Sequence, residues 1–276
     1  MRVEEGVVVG SGGGRPLRAD VFHPPGLEEP APGVLLIHGG GWRSGDRSQL
    51  RGYGILLGRA GYVCVACEYR LVDESPWPAQ IHDVKAALRW MRANADELHL
   101  DPDRVAVEGN SAGAHLALLS AGTAGLAELE GDGGNAGEST AVQAAIGFYT
   151  PTLFGHRTIG RGALPLLALV QADGSDEVAR LASPLSHVGP DYPPTLLIHG
   201  AGDELVPLAA SQVMHEALTE AGAPVELHVY AGQPHGFDAD PVYGRRCADD
   251  MLFFLERYLR TRVTAGAPTG GSAAAL

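Results

Sequence analysis

A chain of 276 residues with 45% hydrophobic content is long enough for one large α/β domain or two small ones, and apolar enough for a sizeable core. Its formal charge of −13 argues against nucleic acid and anionic membranes as partners. No apolar run approaches the roughly 18 residues of a membrane span. The start, Met1-Arg-Val-Glu-Glu, has no apolar signal core, so a cytoplasmic location is expected.

Residues 3–9 and 17–22 alternate as two strands, and the glycine-rich run Gly10 to Gly14 between them predicts a hairpin at a sheet edge. Gly33-Val-Leu-Leu-Ile37 is continuously apolar, as a strand covered on both faces would be. It ends in His38-Gly-Gly-Gly-Trp42, before a helix around Leu50–Ala60 and a strand at Val63–Cys67. Cys64 and Cys67 form a C-x-x-C, but an odd separation on a strand puts the two thiols on opposite faces. Core packing is expected rather than a disulfide or a metal site. An amphipathic helix over Ala79–Asn94 follows, with Ile81, Val84, Leu88 and Met91 on one side.

The stretch Val105-Ala-Val-Glu-Gly-Asn-Ser-Ala-Gly-Ala-His115 predicts a strand, a sharp turn at Ser111 and an alanine-rich helix. Gly109 and Gly113 flank Ser111 in a G-x-S-x-G spacing, where a Cβ would collide with the adjoining strand or helix. Residues 122–141 are rich in Gly, Glu and Ala and are expected to form a mobile surface loop. Val142–Tyr149 is a further strand. In 151–190 a short helix at Leu164–Val170 and a small insertion near the mouth of the site are expected. Thr195–His199 and Val225–Tyr230 are strands around a helix at about Leu208–Ala221, and Tyr243–Arg260 forms a last helix.

Strands alternate with helices from residue 33 onward, so a mostly parallel central sheet with helices on both faces and an N-terminal antiparallel hairpin is expected. Residues 1–263 form that domain, and 264–276 have no core-forming residues and are expected to be disordered. Sites in such sheets lie beyond the carboxyl ends of the strands. His38–Gly41, Ser111, Asp203 and His235 each fall just after a predicted strand.

A serine hydroxyl is a poor nucleophile without a base in hydrogen-bond reach and an acid to hold that base. His235, in Pro234-His-Gly-Phe237, is the best candidate base, and Asp203 the best orienter. His199 and His115 compete as bases, and Glu204 and Asp238 as acids. An oxyanion needs converging N–H donors. Ala112, directly after the serine, supplies one, and Gly40 and Gly41 are the candidates for the others. Trp42, in the same loop, is a candidate substrate contact.

His38-Gly-Gly-Gly-Trp42, Gly109-Asn-Ser-Ala-Gly113, His199-Gly-Ala-Gly-Asp203 and Pro234-His-Gly-Phe237 together resemble the α/β-hydrolase superfamily. Within it the chain looks similar to carboxylesterases of the hormone-sensitive-lipase type and to bacterial feruloyl or acetylxylan esterase-like proteins. Tyr69-Arg-Leu71, Pro78-Ala-Gln-Ile-His-Asp83 and Ala182-Ser-Pro-Leu185 resemble the second group. The chain departs from the pattern at Ala114, where a third glycine is common, and at Asn110, where an acidic residue is common. The His-Gly-Gly-Gly run also comes early, by residue 38, where the lipase type carries a longer N-terminal cap, which implies a more open site.

The resemblance implies a serine carboxylic-ester hydrolase acting on a small-molecule ester through an acyl-enzyme, with no cofactor and no metal. Short acyl chains are expected, with specificity set by residues 122–141, 151–190 and the loop around Trp42. An arylformamidase, or a peptidase of the prolyl-oligopeptidase type, would keep the same triad. A non-catalytic binding protein on the same fold is disfavoured because every triad position is filled. Oligomeric state is not legible.

Overall fold

The computed structural model describes residues 1–155, 163–165 and 175–260. The strands are β1 (Arg2–Gly12), β2 (Arg15–His23), β3 (Ala31–Ile37), β4 (Val63–Cys67), β5 (Leu100–Asn110), β6 (Ala144–Phe148), β7 (Leu153–Gly155), β8 (Ala163–Pro165), β9 (Thr195–Gly200) and β10 (Val225–Tyr230). Eight of them form one sheet in the order β1-β2-β4-β3-β5-β6-β9-β10, while β7 and β8 pair apart from it. β1 and β2 are the expected antiparallel hairpin, and β2 also runs antiparallel to β4. From β4 to β10 every pairing is parallel. The carboxyl ends of β3, β5, β9 and β10 therefore share one edge, and the loops that leave them meet there.

The helices are α1 (Arg51–Arg59), α2 (Ala79–Ala93), α3 (Ala95–Leu98), α4 (Ala112–Gly122), α5 (Ala127–Glu130), α6 (Asp176–Ala182), α7 (Ala209–Glu220) and α8 (Pro241–Leu255). Alternation along the strands splits the core in two. Leu35, Val107 and Leu197 pack with α2, α4 and α7 on one face, through Leu88, Leu116 and Met214. Leu36, Ala106 and Ile146 pack with α1 and α8 on the other, through Leu57, Met251 and Phe254. Cys64 and Cys67 are free, buried thiols on opposite faces, as the strand period requires.

Three expectations change. Residues 122–141 are not a loose loop: they contain α5, and Glu130 ties them to α2. Its carboxylate accepts from Lys85 Nζ at 2.8 Å, Arg89 Nη1 at 3.1 Å and Thr140 Oγ1 at 2.7 Å. The Lys85 side chain is fully buried, so Glu130 is the counter-charge that makes its burial tolerable. Leu164, expected to begin a helix, lies in β8, and 166–170 fall outside the described residues, as does the 264–276 tail. The last helix begins earlier than expected, at Pro241. Asp240 caps it by accepting from the Val242 N–H at 2.9 Å, and a wider π-type turn, Glu256–Arg260, ends it.

Candidate active site

The turn between β5 and α4 lifts Ser111 into a left-handed backbone conformation, φ +55°, ψ −116°. A non-glycine residue is strained there. The flanking glycines make the turn possible. A Cβ on Gly113 would lie 1.9 Å from the Ile37 carbonyl oxygen, and one on Gly109 would lie 2.4 Å from the Gly113 backbone.

Ser111 Oγ lies 2.9 Å from His235 Nε2, and His235 Nδ1 lies 2.7 Å from Asp203 Oδ2. A carboxylate only accepts, so Nδ1 carries the hydrogen and Nε2 is free to accept from the serine hydroxyl. The Asp203 side chain is fully buried. Its other oxygen, Oδ1, accepts from the N–H groups of Leu205 and Val206, each at 2.9 Å. Burial alone would push this carboxyl up. Hydrogen bonds from His199 and His235 and from the Val206 N–H override it and hold the group well below the usual carboxylate range.

The competing bases have other duties. His199 is buried, with Nδ1 at 2.7 Å from Ser211 Oγ and Nε2 at 3.0 Å from the Val206 carbonyl and 3.3 Å from Asp203 Oδ2. His115 is a buried residue of α4 with Nε2 at 2.7 Å from the Ala182 carbonyl, and its Nδ1 accepts from Trp42 Nε1 at 3.1 Å. Burial pushes its imidazole down to about 4. Among the rival acids, Asp238 accepts from Tyr53, Tyr149 and Asn110, while the carboxylate bonded to His235 is Asp203.

The loop after β3 turns tightly at Gly40, φ +113°, whose carbonyl accepts from the N–H groups of Arg43 and Ser44. A Cβ at Gly40 would lie 2.1 Å from the Ser44 carbonyl oxygen, so only glycine fits. Neither the Gly40 nor the Gly41 N–H has an acceptor among the described residues, and both glycines line the same cavity as Ser111. Ala112 is the first residue of α4, and first-turn N–H groups have no partner within a helix. These three N–H groups are the candidate donors for an oxyanion.

The cavity, about 810 Å³, opens beside Ser111 on the α1–α8 side of the sheet. Leu50, Tyr53 and Leu56 form one wall, and Gly236, Asp238 and Pro241 another. Trp42, a candidate contact from the sequence, is not part of it. Its indole is 4% exposed and packs against His115 and Phe154 on the α4 side. The reason is its N–H, which finds its acceptor in His115 rather than in a ligand. No residue of 122–141 lines the cavity either. The residues missed from sequence are Tyr53 and Tyr149, which meet Asp238, expected only as a rival acid, across chain separations of 185 and 89 residues.

This fold, with a strained serine between a parallel strand and a helix, defines an α/β-hydrolase. A family model described as BD-FAE matches residues 19–218, and the chain belongs to that family. It is 34% identical over 255 residues to esterase LipQ of Mycobacterium tuberculosis, and 33% over 244 residues to esterase LipC of the same organism. The matches cover 88% and 85% of this chain, which spans 60% of the length of each relative. Among solved structures, the butyrate-bound Est2 esterase of Thermogutta terrifontis superposes with a TM-score of 0.81 at 25% identity. That match covers 94% of this chain and 96% of the other. A truncated carbohydrate esterase from gut microbiota superposes with a TM-score of 0.80 at 25% identity, over 92% of this chain and 96% of the other.

Proposed function

We propose that the protein is a serine carboxylic-ester hydrolase, with Ser111, His235 and Asp203 as its triad and short-chain acyl esters as its substrates. The observation that carries this reading is the hydrogen-bonded row Ser111–His235–Asp203, at 2.9 and 2.7 Å, opening into the cavity. His235 Nε2 takes the proton of Ser111 Oγ as the oxygen attacks the ester carbonyl carbon. The carbonyl oxygen becomes an oxyanion and is met by the N–H groups of Gly40, Gly41 and Ala112. Asp203 stabilises the imidazolium formed in this step. The tetrahedral intermediate collapses, its C–O bond to the alcohol breaks, and His235 gives the proton to the leaving oxygen. Water then attacks the acyl-enzyme with His235 again as base, releasing the carboxylic acid and free Ser111.

The leaving oxygen must lie next to His235 Nε2, and the cavity is walled by the loop that follows His235. The alcohol part of the substrate is therefore placed in the cavity, and the short acyl part beside the turn at Ser111. The esterase names of LipQ and LipC and the butyrate bound by the Thermogutta enzyme support the chemistry and the short acyl group. The test is labelling with a fluorophosphonate followed by a panel of p-nitrophenyl, feruloyl and formamide substrates. Labelling at Ser111 with turnover of the acyl esters is expected. Turnover of formamides alone would replace the ester reading, and absence of labelling would remove the nucleophile.

A further inference from the structure

Beside Ser111 and His235, lining the same cavity, lies a polar cluster that the hydrolytic steps leave unused. The Asp238 carboxylate accepts from Tyr149 OH at 2.6 Å on Oδ1, and from Tyr53 OH at 2.9 Å and Asn110 Nδ2 at 2.7 Å on Oδ2. Asn110 Nδ2 also donates to Tyr149 OH at 2.7 Å. The partners of Asp238 are neutral. Neutral donors from three separate elements hold it.

Each member touches the triad differently. Asn110 immediately precedes Ser111, and Asp238 follows His235 by three residues. Tyr149 is joined by packing: its ring centroid lies 4.5 Å from that of the His235 imidazole, at an interplanar angle of 57°. Tyr149 is 4% exposed and has a left-handed backbone, φ +37°, with its N–H donating to the Ile198 carbonyl at 2.7 Å. Such a conformation strains a non-glycine residue and persists only where its surroundings enforce it. Burial pushes the Tyr149 hydroxyl well above its ordinary range, so it stays a donor.

We propose that Tyr149 and Asp238 are positioning residues: Asp238 clamps the serine turn to the histidine loop and holds the Tyr149 ring against one face of His235. The inference rests on the hydrolase reading above. Asp203 fixes the imidazole within its plane, through Nδ1. The bonds at Nδ1 and Nε2 leave rotation of the ring about the line joining them open, and the Tyr149 ring closes it from the side. The two restraints act along different directions, so neither replaces the other. A displacement of about 1 Å in such a constellation can cost on the order of 10²-fold in rate.

The test uses Tyr149→Phe, which keeps the ring and removes the hydroxyl, Asp238→Asn, and the double variant. Readouts are kcat and KM on p-nitrophenyl butyrate and the second-order rate of fluorophosphonate labelling, with thermal unfolding as the control for folding. Each single variant is expected to lower kcat roughly tenfold and leave KM within about twofold, with labelling falling in parallel. The double variant should fall no further than the worse single one, because both remove the same clamp. A raised KM with kcat and labelling unchanged would make these residues pocket wall only and overturn the proposal. Multiplicative effects in the double variant would overturn it as well. If Asp238→Asn does not fold, Tyr149→Phe decides alone. Labelling needs no ester, so it reads the clamp even if the wild type labels at Ser111 but hydrolyses none of the panel. That last result would sink the ester reading by itself.

Discussion

His199 shares with His235 a single carboxylate oxygen, Asp203 Oδ2, at 3.3 Å. The Val206 carbonyl, 3.0 Å from the same His199 nitrogen, can only accept. Nε2 therefore carries the hydrogen, and Nδ1 accepts from Ser211 Oγ. A buried imidazole thus acts as a fixed donor, not as a base, and helps to keep Asp203 ionised and aimed. His199→Phe retains the ring volume and removes the N–H. It is expected to lower kcat roughly tenfold with KM unchanged, since a hydrogen bond to a charged group contributes about 1.5–3 kcal/mol. Steady-state kinetics on p-nitrophenyl butyrate checks this, and an unchanged kcat would make His199 a core residue only.

Residues that act as one unit show non-additive losses. Ser111→Ala should lower kcat by on the order of 10⁴–10⁶, and adding His235→Ala should cost little more. Asp203→Ala should be the mildest of the three, because His235 and Ser111 keep their own hydrogen bond. Near-normal turnover by Ser111→Ala would remove the nucleophile assignment.

Glu108 lies near the carboxyl end of β5 on the α1–α8 face, opposite Leu36 and Ile146, and neither carboxyl oxygen has a hydrogen-bond partner among the described residues. Burial pushes its pKa well above the usual range, and the nearby Asp238 charge adds to the shift. The folded protein therefore keeps a proton that the unfolded chain gives up near pH 4.3. Its contribution to stability is full below that pH and is lost as pH rises toward the folded-state value. Glu108→Gln removes the dependence. Relative to wild type the variant should gain on the order of 1 kcal/mol of stability per pH unit as pH rises from 5, until the folded-state value is passed. Urea unfolding at several pH values measures this difference, and a pH-independent offset would show that Glu108 ionises in place.

Trp42 marks where sequence reasoning reached its limit. The loop was legible, because three successive glycines after an apolar strand have few other uses. The direction of its tryptophan was not, because the acceptor for the indole, His115, lies 73 residues away on α4. Trp42→Phe should lower stability by about 1–3 kcal/mol, the cost of leaving a buried group unpaired, without moving KM beyond about twofold. A raised KM at unchanged stability would return Trp42 to the substrate.

The strands, most of the helices and the serine, histidine and aspartate positions were legible for a local reason. Strand period, helix period and turn glycines act within a few residues of each other, and the parallel topology then brings the loop residues to one edge. The cavity wall was not legible, since Tyr53, Tyr149 and Asp238 come from α1, the turn after β6 and the loop before α8, and no local pattern links them. Glu130 was hidden in the same way: in sequence it is one acid in a glycine-rich stretch, and only the buried Lys85 of α2 gives it a purpose.

The cavity also decides how substrate size should matter. If the alcohol group lies against Leu50, Tyr53, Leu56 and Pro241, enlarging that group should raise kcat/KM, because each buried methylene contributes about 0.8 kcal/mol. Enlarging the acyl group should not. Along p-nitrophenyl acetate, butyrate, octanoate and palmitate, kcat/KM is expected to peak at acetate or butyrate and then fall. Along methyl, phenyl and naphthyl acetates it is expected to rise. The two series separate the assignments, because a cavity that took the acyl chain would reverse both trends. A maximum at octanoate or beyond, with no gain from naphthyl over methyl, would place the acyl chain between α1 and α8 and overturn the short-chain reading.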